Sequence, residues 1–199
     1  MSEAAVTADM PQYGKIRVLD AMRDAVELTK EHLITVVAAL LIGIFAALFT
    51  GGFLFAAFML AMSKLVIRIV DGEEGVQSHD VMVGIKDLVV PGFLLSMLPL
   101  IGVAACVGGL FVMIPVTIFA TFLRADHPEL PELELLKQSW AAISSAGLCK
   151  WLFLQTVLLP LIAMTGFLGC GIGMFATTAF TVMINACIYR QVFPRGGVA

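Results

Sequence analysis

Histidine and cysteine are the residue types here best suited to metal binding or nucleophilic chemistry, and the chain has three histidines and four cysteines. No two cysteines form a CxxC pair, and no histidine stands at metal-ligand spacing from a cysteine, which argues against a zinc site. His32, His79 and His127 fall at the borders of apolar segments or between them, where interfacial and capping residues are common. We therefore expect neither a bound metal nor a cofactor.

Motifs that would indicate catalysis are not found in the sequence. It contains no GxxxxGK[ST] phosphate loop, no HExxH zinc motif and no nucleophile elbow with a serine, histidine and aspartate set. The acidic run DGEEG at 71–75 is able to bind a cation, but a solvated turn explains the same residues. We expect a protein that is not an enzyme.

Gln155 and Asn185 are the most polar side chains within long apolar segments. An amide without a partner is costly in an apolar environment, so we predict that these two residues make an interhelical hydrogen bond. Nearby serine and threonine hydroxyls can instead bond to carbonyls of their own helix. Cys106 and Cys170 fall beside predicted turns, where a disulfide and two free thiols are both compatible with the pattern.

Charged residues are too few for a water-soluble domain. They make up 14% of the chain, against 60% hydrophobic residues and a mean hydropathy of +0.99, whereas soluble domains have roughly 25% charged residues. A bilayer can accommodate this much apolar surface. The net charge of -3 gives no indication of a nucleic-acid partner.

Three charge-free blocks, 32–63, 88–123 and 151–189, divide the chain. Crossing ~30 Å of hydrocarbon takes ~20 helical residues, so each block is too long for one span and is better explained by two antiparallel spans joined by a tight turn, with some spans extending beyond the block. We predict an all-α polytopic membrane protein with six transmembrane helices arranged as three hairpins. A flexible tail at 1–13 would precede a single membrane domain at 14–199, with spans at 33–49, 53–70, 88–106, 109–124, 150–166 and 172–190.

Glycines near the middle of each block are predicted to form the hairpin turns, because glycine reverses the chain without a Cβ clash. Close packing of glycines inside longer helices is the alternative interpretation. The predicted turn residues are Gly51, Gly52, Gly108, Gly109, Gly171 and Gly173.

Each block is predicted to follow an amphipathic helix and to end in arginine, as a unit repeated three times. The terminal arginines are Arg68, Arg124 and Arg190. In the first amphipathic segment, IRVLDAMRDAVELTKEHL, one stripe is apolar and the opposite face carries mixed charges. This mixture favours docking to a protein over binding to anionic lipid. The predicted docking stripe consists of Ile16, Leu19, Met22 and Val26.

All lysines and arginines lie on one side of this arrangement, and short loops rich in these residues stay in the cytoplasm. Both termini and both long connections are therefore predicted to be cytoplasmic. The expected location is the inner (cytoplasmic) membrane of a bacterium.

The segment GGFLFAAFMLAMSKLVIRIVDGEEGVQSHDVMVGIKD, with the later KQSWAAISSAGLCKWLFL and GCGIGMFATTAFTVMINACIYRQVF, resembles a family of uncharacterised bacterial six-span membrane proteins. That family is related to the membrane region of some glycerophosphodiester phosphodiesterases. The resemblance covers the chain from about residue 30 and implies the same topology, but no phosphodiesterase residues. Family members often have a proline soon after the GIG of the last span, where this chain continues FATT.

The pattern favours the first of two functions, and the second is the alternative. The first is a non-enzymatic membrane protein that organises or regulates membrane partners, or copies of itself, through the cytoplasmic amphipathic helices. The second is a transporter or channel for a small neutral or lipid-like solute, which the hairpins, prolines and threonine-rich last span favour. Both have the lipid bilayer as a partner, and neither involves nucleic acid.

Overall fold

The computed structural model describes residues 13–50, 54–104, 107–168 and 172–194, and this part of the chain is helical and contains no strand. The predicted all-α class is therefore confirmed for the described residues. The α-helices are α1 (Val18–Phe49), α2 (Phe55–Val70), α3 (Ile85–Ala104), α4 (Val107–Asp126), α5 (Glu132–Phe153), α6 (Leu159–Leu168) and α7 (Ile172–Val192). A 3-10 helix covers Ser78–Met82, and a π-helical turn at Leu154–Leu158 joins α5 to α6.

The first helix is one continuous element of 32 residues. The prediction of a separate amphipathic helix before the first span is therefore wrong. Residues 17–42 contain neither glycine nor proline, so nothing in the backbone ends the helix where the charged residues give way to apolar ones. The change in polarity along α1 therefore does not coincide with a helix boundary.

The predicted docking stripe is not a single buried or exposed surface. Ile16 precedes the helix and is buried, Met22 packs partly against the core, and Leu19 and Val26 are exposed, with 81% and 39% of their surface accessible. The face of α1 that enters the core here carries Ala21 and Ala25, both fully buried. Small side chains allow α1 to pack closely on its neighbours, and α7 is the helix it contacts most.

The other helices form a bundle in which α2 packs on α3, α3 on α4, α4 on α5 and α6 on α7. Phe119 on α4 lies at its centre and meets the ring of Trp151 edge to face, with ring centroids 4.7 Å apart. Tyr189 stacks on Phe122 and Phe193 at 5.6 and 5.1 Å. These aromatic contacts join the ends of α4, α5 and α7.

A kink at Gly147 divides α5. Gly147 has φ of 118° and ψ of 77°, a conformation that residues with a Cβ rarely adopt. The charged segment that begins at Glu132 is thereby separated from the apolar segment that continues through the π turn into α6. In this third unit, unlike the first, a break does lie between the amphipathic segment and the apolar one.

The predicted turn glycines have different positions. Gly51, Gly52 and Gly171 lie outside the described residues, although α1 ends at Phe49 and α2 begins at Phe55. Gly108 and Gly109 lie in the first turn of α4, so the prediction that they form a hairpin turn is wrong.

Gly173 also lies inside a helix, as the second residue of α7. A Cβ added at Gly173 would be 2.6 Å from the carbonyl oxygen of Gly166 on α6. Only a residue without a side chain lets the two backbones approach so closely. Gly173 is therefore a close-packing glycine inside a helix, as the alternative interpretation has it, and not a turn residue.

The first described residues pack against the end of α7. The amide of Gly14 donates to the carbonyl of Val192 (3.2 Å), and the Tyr13 and Phe193 rings meet edge to face at 5.4 Å. The predicted tail at 1–13 otherwise lies outside the described residues. The two ends of the described chain therefore meet at the same end of the bundle.

By length and composition, α1 is the one helix in the described ranges that qualifies as a candidate membrane span. Its most apolar stretch has a mean hydropathy of 2.5. The helix α2 has 16 residues as it is described, which is short for a span.

Candidate functional site

A cavity of about 530 Å³ lies between α2, α3, α4, the π turn, α6 and α7. The described residues that line it are all uncharged, and most are apolar. Phe55 and Met59, at one side of it, expose 51% and 40% of their surface. The polar residues of the lining are Ser63, Ser96, Thr117, Thr121, Gln155, Thr178, Thr181 and Asn185.

The two amides predicted to bond between helices are brought together in this cavity. Nε2 of Gln155, in the π turn, donates to Oδ1 of Asn185, on α7, over 2.5 Å. A π turn rotates the side chains that follow it relative to a regular helix, and such turns are frequent at functional sites. Asn185 has only 8% of its surface exposed, so the hydrogen bond satisfies amide groups that burial would otherwise leave unpaired.

Most hydroxyls in the lining donate to the backbone of their own helix. Thr117 bonds the Met113 carbonyl at 2.8 Å, Thr121 that of Thr117 at 2.7 Å, and Thr178 that of Met174 at 2.8 Å. Thr181 differs, because its buried Oγ1 has no hydrogen-bond partner within the described part of the chain. Thr181 lies one helical turn before Asn185, so both side chains are on the same face of α7.

A cluster of ion pairs at the charged end of the bundle fixes α7, the helix that carries Asn185. Arg190 on α7 contacts both carboxylates that follow the apolar parts of α2 and α4: its Nη2 is 2.6 Å from Oδ2 of Asp71, and its Nη1 is 2.6 Å from Oδ2 of Asp126. The hydroxyl of Tyr189 donates to the same oxygen of Asp126 at 2.9 Å. We call Arg190, Asp71, Asp126 and Tyr189 the arginine clamp.

The other two terminal arginines pair with nearby connections. Arg68 lies 2.6 Å from Glu73 and 3.1 Å from Asp80. Arg124 donates to the carbonyl of Leu130 at 2.7 Å and lies 3.5 Å from Glu132. Each arginine that ends an apolar block thus helps to fix the chain where it leaves the bundle.

Hydrogen bonds to the ionised carboxylates lower the pKa values of Asp126 and Asp80. Burial acts to raise the pKa of Asp126, but the hydrogen bonds from Arg190 and Tyr189 and the positive charge of Arg190 outweigh it, and the pKa is lowered. For Asp80 the backbone amide of Gln77 is the largest cause of a lowered pKa, followed among the lowering effects by Arg68. Both carboxylates are therefore ionised at neutral pH.

Two of the four cysteines, Cys106 and Cys170, lie outside the described residues. A disulfide and two free thiols therefore both stay as predictions for these positions. Cys187 is buried as a free thiol. Within the described ranges, no group of three or more histidine, cysteine, aspartate or glutamate side chains is arranged to hold a metal ion.

The sequence pointed to Gln155 and Asn185 but did not single out Thr181 or the arginine clamp. Arg190 was noted only as the last of three similarly placed arginines. Asp71 and Asp126 are 119 and 64 residues away from it in the sequence, so no local pattern connects them. Comparison with protein-family models, curated proteins and solved structures finds no match to this chain.

Proposed function

We propose that this protein is an integral membrane protein that binds a small neutral or lipid-like solute in the cavity and carries it within or across the bilayer. The observation that carries the proposal is the cavity itself, whose described lining is uncharged and includes the hydrogen-bonded amides of Gln155 and Asn185. Pockets of this size, mostly apolar with a few convergent polar groups, are typical of small-molecule sites.

A membrane location is supported by the surface of the charge-free blocks as well as by α1. Large apolar side chains there expose half or more of their surface, which is costly in water and favourable in lipid. These side chains are Ile34, Phe45, Leu48, Phe49, Phe55, Val90, Phe93, Phe153, Leu161 and Met164. We extend this to six spans in the inner membrane of a bacterium.

Cytoplasmic termini are the orientation we propose. Arg68, Arg124 and Arg190 lie at the ends of α2, α4 and α7, and the arginine clamp joins those three ends. The first described residues pack on the same end of α7. A single basic end is what the positive-inside rule associates with the cytoplasm.

A second candidate is the organisation of membrane partners or of copies of this chain. The observation that favours it is Leu19, which is 81% exposed among charged residues near the start of α1. It has less support than solute binding, because the predicted docking stripe does not form one continuous surface.

Movement of a solute is testable with the full chain reconstituted in phosphatidylcholine vesicles. The measurement is the rate at which a fluorescent single-chain lipid analogue, loaded in the inner leaflet, becomes accessible to an impermeant quencher. Thr117→Phe places a ring in the cavity and should slow movement about tenfold. This factor corresponds to the free-energy cost that overpacking a site typically has.

The matched control is Thr165→Phe, the same exchange at an exposed threonine of α6 that does not line the cavity. It should leave the rate unchanged. Equal rates in the wild type, both variants and protein-free vesicles would overturn the carrier proposal.

A further inference from the structure

We propose that the cavity recognises the head group of a single-chain, uncharged amphiphile, either a long-chain alcohol or a long-chain primary amide, through Gln155, Asn185 and Thr181. This inference rests on the proposed function, since it assigns a ligand class to the same cavity. Its observations are the unused hydrogen-bonding groups, the distribution of polarity along the cavity and the absence of charge in the described lining.

The amide pair leaves two hydrogen-bonding groups available. A side-chain amide carries one carbonyl oxygen and one NH2 group, and the bond between Gln155 and Asn185 uses one group of each. Whichever way the two amides are turned, one oxygen and one NH2 group remain, and within the described chain neither makes another hydrogen bond. A head group that both donates and accepts matches this pair.

Thr181 adds a third group at the same place. Its hydroxyl is buried and unpartnered within the described residues, and it lies one turn from Asn185 on α7. An unpaired buried hydroxyl costs about 1–3 kcal/mol, a cost that a bound head group would remove. The hydroxyls of Thr117, Thr121 and Thr178 are already bonded to their own helices.

Polarity changes along the cavity in the way that an amphiphile requires. On α2 the lining residues Phe55 and Met59 precede Ser63, which is nearer to Arg68 and the charged end. On α7, Asn185 is likewise the lining residue nearest to Arg190. The head group would therefore lie toward the charged end, with its alkyl chain passing Phe55 and Met59, whose exposed surfaces mark the side open to lipid.

Charged head groups do not fit this site. The described lining contains no lysine, arginine, aspartate or glutamate. An ammonium or carboxylate would lose its hydration there without a counter-charge, which is costly at membrane depth. A plain hydrocarbon enters without that cost but makes no bond with the amides or Thr181.

The test uses the full chain in phosphatidylcholine nanodiscs and measures the midpoint of thermal unfolding. Four ligands with the same alkyl chain are compared at equal mole fraction: 1-dodecanol, dodecanamide, dodecane and dodecyltrimethylammonium. A ligand that binds the folded state raises the midpoint, by about 3 °C for a chain of this length near tenfold saturation. We expect that shift with the alcohol and the amide, and less than half of it with the other two.

Variants separate head-group recognition from effects on the bilayer. The double variant Gln155→Met with Asn185→Leu should lose the difference between ligands. Thr181→Val keeps the shape of the side chain and should reduce the shift from the alcohol and the amide by about half, as loss of one of several hydrogen bonds implies. Thr165→Val, outside the cavity, should retain the full shift.

The outcomes distinguish this inference from the carrier proposal. Equal shifts with all four ligands, or a full shift in Thr181→Val, would overturn head-group recognition even if Thr117→Phe still blocks movement of the lipid analogue. A head-group-dependent shift in a protein that moves no analogue would support the binding site and reject the carrier function. If the double variant does not fold, the comparison of Thr181→Val with Thr165→Val decides the question.

Discussion

At the scale of single residues, Arg190 has the contacts of a side chain that holds the bundle together. Its guanidinium reaches carboxylates at the ends of two other helices, Asp71 after α2 and Asp126 in α4. A planar group with several N–H donors can bond to both, which a lysine ammonium cannot reproduce. The side chains of Arg190 and Asp71 have 14% and 8% of their surface exposed, so these charges are screened little by water.

Removing Arg190 should therefore destabilise the protein strongly. We expect Arg190→Leu to lower the free energy of unfolding by about 3 kcal/mol, because it leaves buried carboxylates without their cation, and Arg190→Lys to have an intermediate effect. Chemical unfolding in detergent micelles measures this. Arg23→Leu is the control: its pair with Glu27 is 3.9 Å long and largely exposed, so the change should be small. Similar losses of unfolding free energy in Arg190→Leu and Arg23→Leu would mean that the arginine clamp stabilises the protein no more than an exposed ion pair does.

The clamp also predicts how stability depends on pH. The pKa of Asp126 is lowered from 3.8 in the folded protein, so the folded state favours the ionised form. Its contribution is full above the unfolded pKa, near 4, and is lost as the pH falls through the lower folded pKa. Unfolding midpoints measured between pH 2 and 6, about the range in which carboxylates titrate, should decrease on the acid side.

Tyr189→Phe tests the assignment of this pH dependence to Asp126. It removes one hydrogen bond that lowers the pKa of Asp126, so the folded and unfolded pKa values should move closer together. The loss of stability on acidification should become smaller. The control Ser144→Ala removes an exposed hydroxyl that donates to its own helix, and it should leave the pH profile as it is in the wild type.

At the scale of elements, the kink at Gly147 separates the charged and apolar parts of the third unit. We expect Gly147→Ala to lower the thermal unfolding midpoint by about 3 °C, because a Cβ is strained at this positive φ. The neighbouring change Ser144→Ala, at an exposed position of the same helix, should be near neutral. Were Gly147→Ala as stable as the wild type, a straight α5 would serve the bundle equally well.

The sequence predicted the helical class and one polar pair, because the first depends on composition and the second on the cost of isolated polar groups. Gln155 and Asn185 could be selected since each interrupts a long apolar run. Helix boundaries were harder to predict from the sequence. The continuity of α1 depends on the absence of a breaker, whereas the break at Gly147 depends on one glycine among residues that all allow a helix.

Other features arise only when the elements pack. The cavity is a volume left between α2, α3, α4 and α7, and no periodicity along the chain indicates it. The partners of Arg190 lie at the ends of two helices that are distant in the sequence, and the residues LQTVL of the π turn that places Gln155 are not distinctive. These properties belong to the tertiary structure and could not be predicted from one sequence.

At the scale of the whole molecule, the proposed orientation predicts which ends of the helices are accessible from outside the cell. Single cysteines at Thr50 and Glu129, in a background without other cysteines, place exposed thiols at opposite ends of the apolar segments. An impermeant maleimide applied to intact cells should label Thr50→Cys and should label Glu129→Cys only after the membrane is permeabilised. The reverse pattern would invert the topology, and labelling of both positions would reject a membrane-spanning arrangement.

In the membrane arrangement proposed above, the uninterrupted length of α1 makes it sensitive to the thickness of the bilayer. At ~1.5 Å per residue, its 32 residues extend ~48 Å, well beyond the ~30 Å of hydrocarbon. A helix without a hinge must tilt or project from the surface. The balance between tilting and projecting changes as the lipid chains lengthen. Because α1 packs along α7, which carries Asn185, a thicker or thinner membrane would act directly on the wall of the cavity.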